Sequence, residues 1–441
     1  MSASLPDPDE LFRDHLDYQL ARYAEALEAC GHDALLIAAG EPGHHFLDDI
    51  EVSFKPNPHF RLFVPMPAVA GSSLLLRPGR RPVLLHYRPE DYWHLPPAPA
   101  AGSWTESFEI HEVGSQEEQQ RAQDAALAGV NHLAVIAPGS QAPEPLLCRL
   151  DFGRARKTAY EIACMRLANV RAARGHRAAR DAFFAGASEF AIHLAYLAAT
   201  EHEDADLPYG NIIALDDHGA VLHYQHRERR APPGGSRSFL IDAGASARGY
   251  AADVTRTYSA AAGAFADLIT AMDAAQQQLV AEVRAGVDFV DLHRAAHHAV
   301  ASVLRDADLA VGSPEALVET GVTAGFLPHG LGHLIGVQTH DVGGRMQDAQ
   351  GSVRLPPEAF PALRLTRTLE PDFVVTIEPG LYFIPMLLDE LRSRPEGRAV
   401  AWDAVDALRP YGGIRIEDDV RVTGSGSENL TRPALAAEGI A

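Results

Sequence analysis

Apolar positions recur at two periods along this 441-residue chain, and the alternation between them outlines its elements. Between residues 9 and 31, Leu11, Leu16, Tyr18, Leu20, Tyr23, Ala24 and Leu27 follow helical spacing. A strand is predicted at 34–37. SSLLLRPGRRPVLLHY (72–87) is two apolar runs split by a Pro-Gly turn, which is a hairpin signal. HLAVIAPG (132–139) reads as another short strand. A stretch rich in Pro and Arg (141–157) then precedes a long helical pattern at 158–184, so the domain boundary is placed near Arg156. Ser188 is a candidate N-cap for a further helix that carries Phe190, Leu194 and Leu197 on one face. Strand patterns follow at 211–215, 220–224, 238–245 and 250–258, and helices at 265–285 and 289–305. The last third alternates short strands with glycine-rich turns, in PHGLGHLIG (328–336), THDVGG (339–344), DFVVTIEPGLYF (372–383) and GGIRIEDDVRV (412–422). The expectation is an α/β (α+β) protein of two domains, 1–156 and 157–441.

Composition narrows the partners. Lys plus Arg is 38 against 59 for Asp plus Glu, a formal net charge of −21. Such a charge repels phosphate backbones and anionic lipid, which argues against nucleic acid and membrane partners. Apolar runs such as HLAVIAP fall short of the roughly 20 residues a spanning helix needs, and the opening MSASLPDPDELF has no basic segment followed by an apolar one. The expectation is a cytoplasmic protein. Cys30, Cys148 and Cys164 are odd in number and widely spaced, so neither a disulfide framework nor a thiolate metal site is expected.

The stretch LIDAGASARGYAADVTR (240–256) contains two apolar strand patterns, each ending at an aspartate, Asp242 and Asp253. Turn-capping aspartates would give the same pattern. His333, Glu378 and Glu417 also lie in or beside short apolar runs flanked by glycine. Buried carboxylates require a cation or strong donors. Four carboxylates and one neutral imidazole carry a formal charge of −4, which suits two divalent cations. Hard oxygens with a single imidazole favour Mn²⁺, with Co²⁺ or Zn²⁺ as alternatives. Two metals about 3.5–4 Å apart can share a water, lower its pKa and clamp a tetrahedral intermediate. By contrast, His293 and His297 sit beside His298 and Arg294 and read as a solvated helix face, and GLGHLIG lacks the spacing of a dinucleotide loop.

HYQ after AVL, LIDAGA with GYAADVTRTY, PHGLGH, HDVGG, TIEPGLYF and GGIRIED together resemble the metallopeptidases of the "pita-bread" fold, most closely the bacterial Xaa-Pro dipeptidases, or prolidases. The resemblance spans about residues 157–422. It implies a mixed-sheet N-terminal domain and a catalytic domain whose curved, largely antiparallel sheet is flanked by helices. It further implies that Asp242 chelates one metal, that Asp253 and Glu417 bridge two, and that His333 with Glu378 completes the second. Glu378 would also serve as the base for the attacking water. His223, His329 and His340 map to pocket histidines that stabilise developing charge or pass a proton. Arg364 maps to the arginine that binds the substrate carboxylate, with Arg367 as a neighbour that could be confused with it. Tyr209 is a candidate pocket residue. Arg415, on the same strand face as Glu417, is a candidate for the substrate site or for an orienter of a metal-site carboxylate. The activity implied is hydrolysis of Xaa-Pro dipeptides by a metal-bridging hydroxide, in a homodimer where Asp48 or Trp93 of one chain edges the pocket of the other. An aminopeptidase P or an organophosphorus acid anhydrolase would use the same five ligands.

Overall fold

The computed structural model describes residues 6–67 and 69–440. The chain divides into two compact units. One is Met1–Cys164 with Arg248–Tyr250 and Gln347–Ser352; the other is Met165–Ala247, Ala251–Met346 and Val353–Ala441.

In the first unit, Asp7 caps the helix Pro8–Ala29, accepting from the Asp9 amide, with Pro8 in the first turn. Phe12, Leu16, Tyr23 and Leu27 form its buried stripe. The sheet orders Glu109–Val113, Val83–Tyr87, Ser73–Leu76, Ala34–Ala38 and Leu133–Ile136 side by side. The first and last neighbour pairs are parallel and the two between them antiparallel, so the sheet is mixed. Leu36, Leu75 and Leu85 pack together on one face of it.

In the second unit every pairing between the strands that carry the candidate ligands is antiparallel. The strand Ser238–Asp242 lies between Ile212–Leu215 and Thr255–Ser259. Its alternation sets the two faces: Phe239 and Ile241 join Ile192, Tyr196 and Phe183 on the helix side. Leu240 joins Tyr224 and Tyr382 on the other side. With a period of two, Asp242 shares the face of Leu240. The fold class is the mixed α/β arrangement expected.

Three local expectations differ. Residues 220–224 are not a strand; Asp216–Ala220 is a 3-10 turn entered at Asp216 with φ 55°. The Glu189–Thr200 helix does start at Ser188, whose Oγ accepts from the Ala191 amide, but it buries Ile192 and Tyr196 together with Glu189 and His193, leaving Leu194 exposed. Its apolar residues occupy several faces, and the partners of the two polar residues set which face turns inward. His293 and His297 are not solvated: both are buried, His297 stacked on the Phe360 ring and His293 edge-on to it.

Candidate metal centre

The four carboxylate candidates sit at or beside strand ends, and the histidine comes from a loop. Asp242 closes the strand Ser238–Asp242 and pairs in register with Thr255. Asp253 lies two residues before Thr255, and Glu417 lies between the strands Gly413–Arg415 and Asp418–Val422, bridging to Thr255. Glu378 follows the strand Val374–Ile377, and its amide bonds to the Leu331 carbonyl at 2.9 Å. His333 enters from the loop beside that strand through a backbone bond from the Thr376 amide. The approach is close: a Cβ on Gly332 would lie 1.9 Å from the Thr376 carbonyl oxygen. Glycine at that position is what lets the histidine loop lie against the glutamate strand.

Ligand atoms of Asp253, His333 and Glu417 all fall within 4.8 Å of one another, and all three residues are buried. Glu378 joins them through His333, with Oε1 at 3.7 Å from Nε2, while Asp253 Oδ2 lies 3.4 Å from the same nitrogen. The Leu334 carbonyl, which can only accept, takes the Nδ1 hydrogen of His333 at 3.0 Å and so turns Nε2 toward the carboxylates. Asp242 is held from behind. Tyr209 donates its hydroxyl to Oδ1 at 2.7 Å and Arg415 donates Nη2 to Oδ2 at 2.6 Å.

The electrostatics reflect a shortage of positive charge. Burial, with the charges of Asp253, Glu378 and Asp242, pushes Glu417 well above the usual carboxylate range. Burial likewise raises Glu378 to about 7, against the pull of His333 and Arg415. For His333 burial alone acts downward, but Asp253 and Glu378 outweigh it and hold the imidazole up to about 9. Oxygen donors and one correctly turned imidazole, converging in a buried place where the side-chain cations do not balance the carboxylates, fit divalent cations.

A polar layer fixes these ligands. Thr255 Oγ1 donates to Glu417 Oε2 at 2.5 Å and accepts from Arg415 Nε. Arg256 reaches the Glu417 carbonyl and the Asp418 carboxylate. Thr376 Oγ1 accepts from the His333 amide and donates to Glu378 Oε1. Sequence reasoning did not single out Thr255, Arg256, Thr376 or Tyr382. Their signal was a polar side chain inside an apolar strand within three or four residues of a candidate ligand.

The remaining candidates divide by exposure. His223 and His340 are exposed, and the His340 ring meets that of His333 edge-on at 4.5 Å. His223 is near enough to His329 and His340 to act electrostatically on both. His329 is engaged at both nitrogens: Nδ1 donates to the Gly330 carbonyl and Nε2 faces the Tyr382 hydroxyl, each at 2.8 Å. That hydroxyl also accepts from Arg415 Nη1 at 2.8 Å, so Arg415 is buried with donors aimed at Asp242, Tyr382 and Thr255. Arg367 is buried, bonded to Glu370 and lying over the Phe373 ring at 4.7 Å. Arg364 is exposed and acts electrostatically on His340. In the first unit Asp48 and Trp93 are exposed on loops that also expose Phe46, Leu47, Tyr92 and Leu95. Among the described residues no helix is long and apolar enough to cross a membrane.

Comparison with known proteins places this geometry in context. Residues 163–424 match the model of metallopeptidase family M24, and residues 10–151 match that of the Xaa-Pro dipeptidase N-terminal domain. An Xaa-Pro dipeptidase of Xanthomonas oryzae pv. oryzae is 48% identical over 438 residues, covering 98% of this chain and 99% of its own length. One from Stenotrophomonas maltophilia is 47% identical over 437 residues, covering 98% of each chain. Among solved structures, zinc-substituted Escherichia coli aminopeptidase P in complex with product superposes with a TM-score of 0.68 at 20% identity, covering 98% of this chain and 99% of that one. At that identity the likeness is one of fold.

Proposed function

The chain belongs to metallopeptidase family M24, and from that premise we propose that it hydrolyses Xaa-Pro dipeptides at a dinuclear metal site, releasing C-terminal proline. It is a metal-dependent hydrolase, and the Xaa-Pro dipeptidases that resemble it do so over nearly their whole length. The observation that carries the finer reading is the buried convergence of Asp253, His333 and Glu417, with Glu378 joined through His333. Asp242 would hold one ion, Asp253 and Glu417 would serve both, and His333 with Glu378 would complete the second. Hard donors make Mn²⁺ the first choice, with Co²⁺ and Zn²⁺ as alternatives. When bound, two such ions would make a shared water nucleophilic near neutral pH and offset charge on the substrate carbonyl.

The protein's own residues supply the rest. Glu378, whose Oε1 lies 3.7 Å from His333 Nε2, would take the proton of the attacking water. His223 and His340, exposed beside the site, stabilise the carbonyl oxygen or return a proton to the proline nitrogen, and His329, engaged at both nitrogens, acts through the Tyr382 hydroxyl that it holds. Arg364 binds the free carboxylate of the dipeptide through its guanidinium fork; its exposure beside His340 supports it over the buried Arg367. Tyr209 and Arg415 orient Asp242, and Tyr209 edges the substrate pocket. We assign 1–156 as the N-terminal domain and 157–441 as the catalytic domain. The exposed apolar loops around Asp48 and Trp93 suit burial in a homodimer.

The deciding experiment measures proline released from Xaa-Pro dipeptides, beside Xaa-Pro-Xaa tripeptides, with protein loaded in turn with Mn²⁺, Co²⁺ and Zn²⁺. Cleavage of dipeptides in preference to tripeptides is expected. No dipeptide cleavage with any metal would overturn the reading, and preference for tripeptides would move it to an aminopeptidase.

A further inference from the structure

Glu189 lies at the start of the Glu189–Thr200 helix, has 1% of its surface exposed, and belongs to none of the candidate ligands or pocket residues. Both its oxygens are engaged by one segment. Oε1 accepts from the Leu215 amide at 2.9 Å and from His218 Nδ1 at 2.7 Å. Oε2 accepts from the Tyr224 hydroxyl at 2.8 Å and the Glu228 amide at 2.7 Å. The Phe190 amide adds a backbone bond to the Glu228 carbonyl at 3.1 Å. A single buried carboxylate thus ties down both ends and the middle of residues 215–228, the segment that carries His223.

The segment has reason to depend on this clamp. Beyond Leu215, which ends a strand, it contains no strand, opens at the left-handed Asp216, and borders a half-open cleft of about 330 Å³ lined by Glu189, Leu215, Asp217, His218, Glu228 and Pro232. Packing is therefore incomplete on that side. On the other side Leu222 and Tyr224 enter the cluster of Ile212, Leu240 and Tyr382, while His223 between them is exposed. The depth of Tyr224 fixes the direction of His223, and the Tyr224 hydroxyl ends on Glu189. Stacking of His218 on the Tyr224 ring, 4.4 Å between centroids, couples two of the clamped side chains.

We propose that Glu189 is a positioning residue that presents His223 to the substrate, an inference that rests on the pocket role assigned to His223 above. Hydrogen bonds to a charged acceptor are worth more than neutral ones, so the isosteric Glu189→Gln variant, whose amide turns a donor toward two of these donors, should loosen the segment without emptying the core. Hydrogen exchange on the metal-loaded protein should accelerate about tenfold or more at the Leu215 and Glu228 amides, while amides of the strand Val374–Ile377 stay at their original rates. For an Xaa-Pro dipeptide, kcat/KM should fall about tenfold. In a His223→Ala background the same substitution should cause no further loss. Tyr224→Phe, which removes one bond of the four, should show the same non-additivity at smaller size and serves if Glu189→Gln does not fold. Unchanged exchange at 215–228, or an equal loss in both backgrounds, overturns the proposal while leaving the pocket role of His223 standing. Full activity of His223→Ala alone would instead remove that role, and this inference with it.

Discussion

Arg415 and Asp242, 173 residues apart in sequence, meet at 2.6 Å, and the same guanidinium donates to the Tyr382 hydroxyl at 2.8 Å. Both side chains are largely buried. The pair therefore stands in place of solvent for a carboxylate that burial otherwise drives toward its neutral form.

Removing the arginine should expose that dependence. Arg415→Met leaves Asp242 with Tyr209 as its remaining side-chain donor, and an uncompensated buried charge costs about 3–5 kcal/mol. We expect a lower Tm, with the loss greater in metal-free protein than in loaded protein, where a cation can replace the guanidinium. Calorimetry of both forms checks this; equal losses with and without metal would contradict it.

Asp253 and Asp242 should differ in how much metal each retains. Asp253 lies in the buried cluster with His333 and Glu417, whereas Asp242 is anchored chiefly by Tyr209 and Arg415. Metal analysis of Asp253→Asn should find both ions depleted, and that of Asp242→Asn chiefly one. The same stoichiometry in the two variants would remove the bridging assignment of Asp253.

The two arginines of the PALRLTRTLEP stretch should separate cleanly. Arg364→Ala, at an exposed position, should raise KM for Xaa-Pro dipeptides by about tenfold to a hundredfold, the worth of a charged hydrogen-bonded contact of about 1.5–3 kcal/mol, with little change in Tm. Arg367→Ala, which strips a buried partner from Glu370 and Phe373, should lower Tm instead. A reversed pattern would transfer the carboxylate-binding role to Arg367.

What the chain discloses beforehand depends on how local the cause is. The candidate ligands were legible because each lies in or beside a short apolar run near glycine, a pattern set by a few neighbouring residues. The helix at 189–200 announced its start through Ser188, a local cap, but not its inward face, because Glu189 and His193 take partners that lie beyond the helix's own end. Residues 220–224 carry the alternation of a strand, yet Asp216 in a left-handed conformation and the clamp on Glu189 fold them into a turn. Thr255 and Tyr382 gain their positions only when strands more than a hundred residues apart converge on Arg415.

His293 and His297 give the clearest pH dependence, since the polar pattern around them suggested exposure and the fold buries both. Burial is the main cause that lowers His293 to about 3, helped by His297, His329 and Arg294; burial, helped by His298, lowers His297 to about 4. Unfolded, each would titrate near 6.5. The folded pKa values are depressed, so the unfolded chain binds more protons as the pH falls below about 6.5. Stability is thus fully present above that pH and declines toward the folded values near 4 and 3. At pH 5 each histidine would cost up to about 2 kcal/mol. His293 Nδ1 is buried with no hydrogen-bond partner among the described residues, so His293→Phe, placed against Phe360, removes the titration without breaking a bond at that atom. Urea unfolding of metal-free protein at pH 7, 6 and 5 should show the variant gaining on wild type by about 1–2 kcal/mol at the lowest pH. Parallel stability curves for the two proteins across that range would show that His293 is not held neutral by the fold.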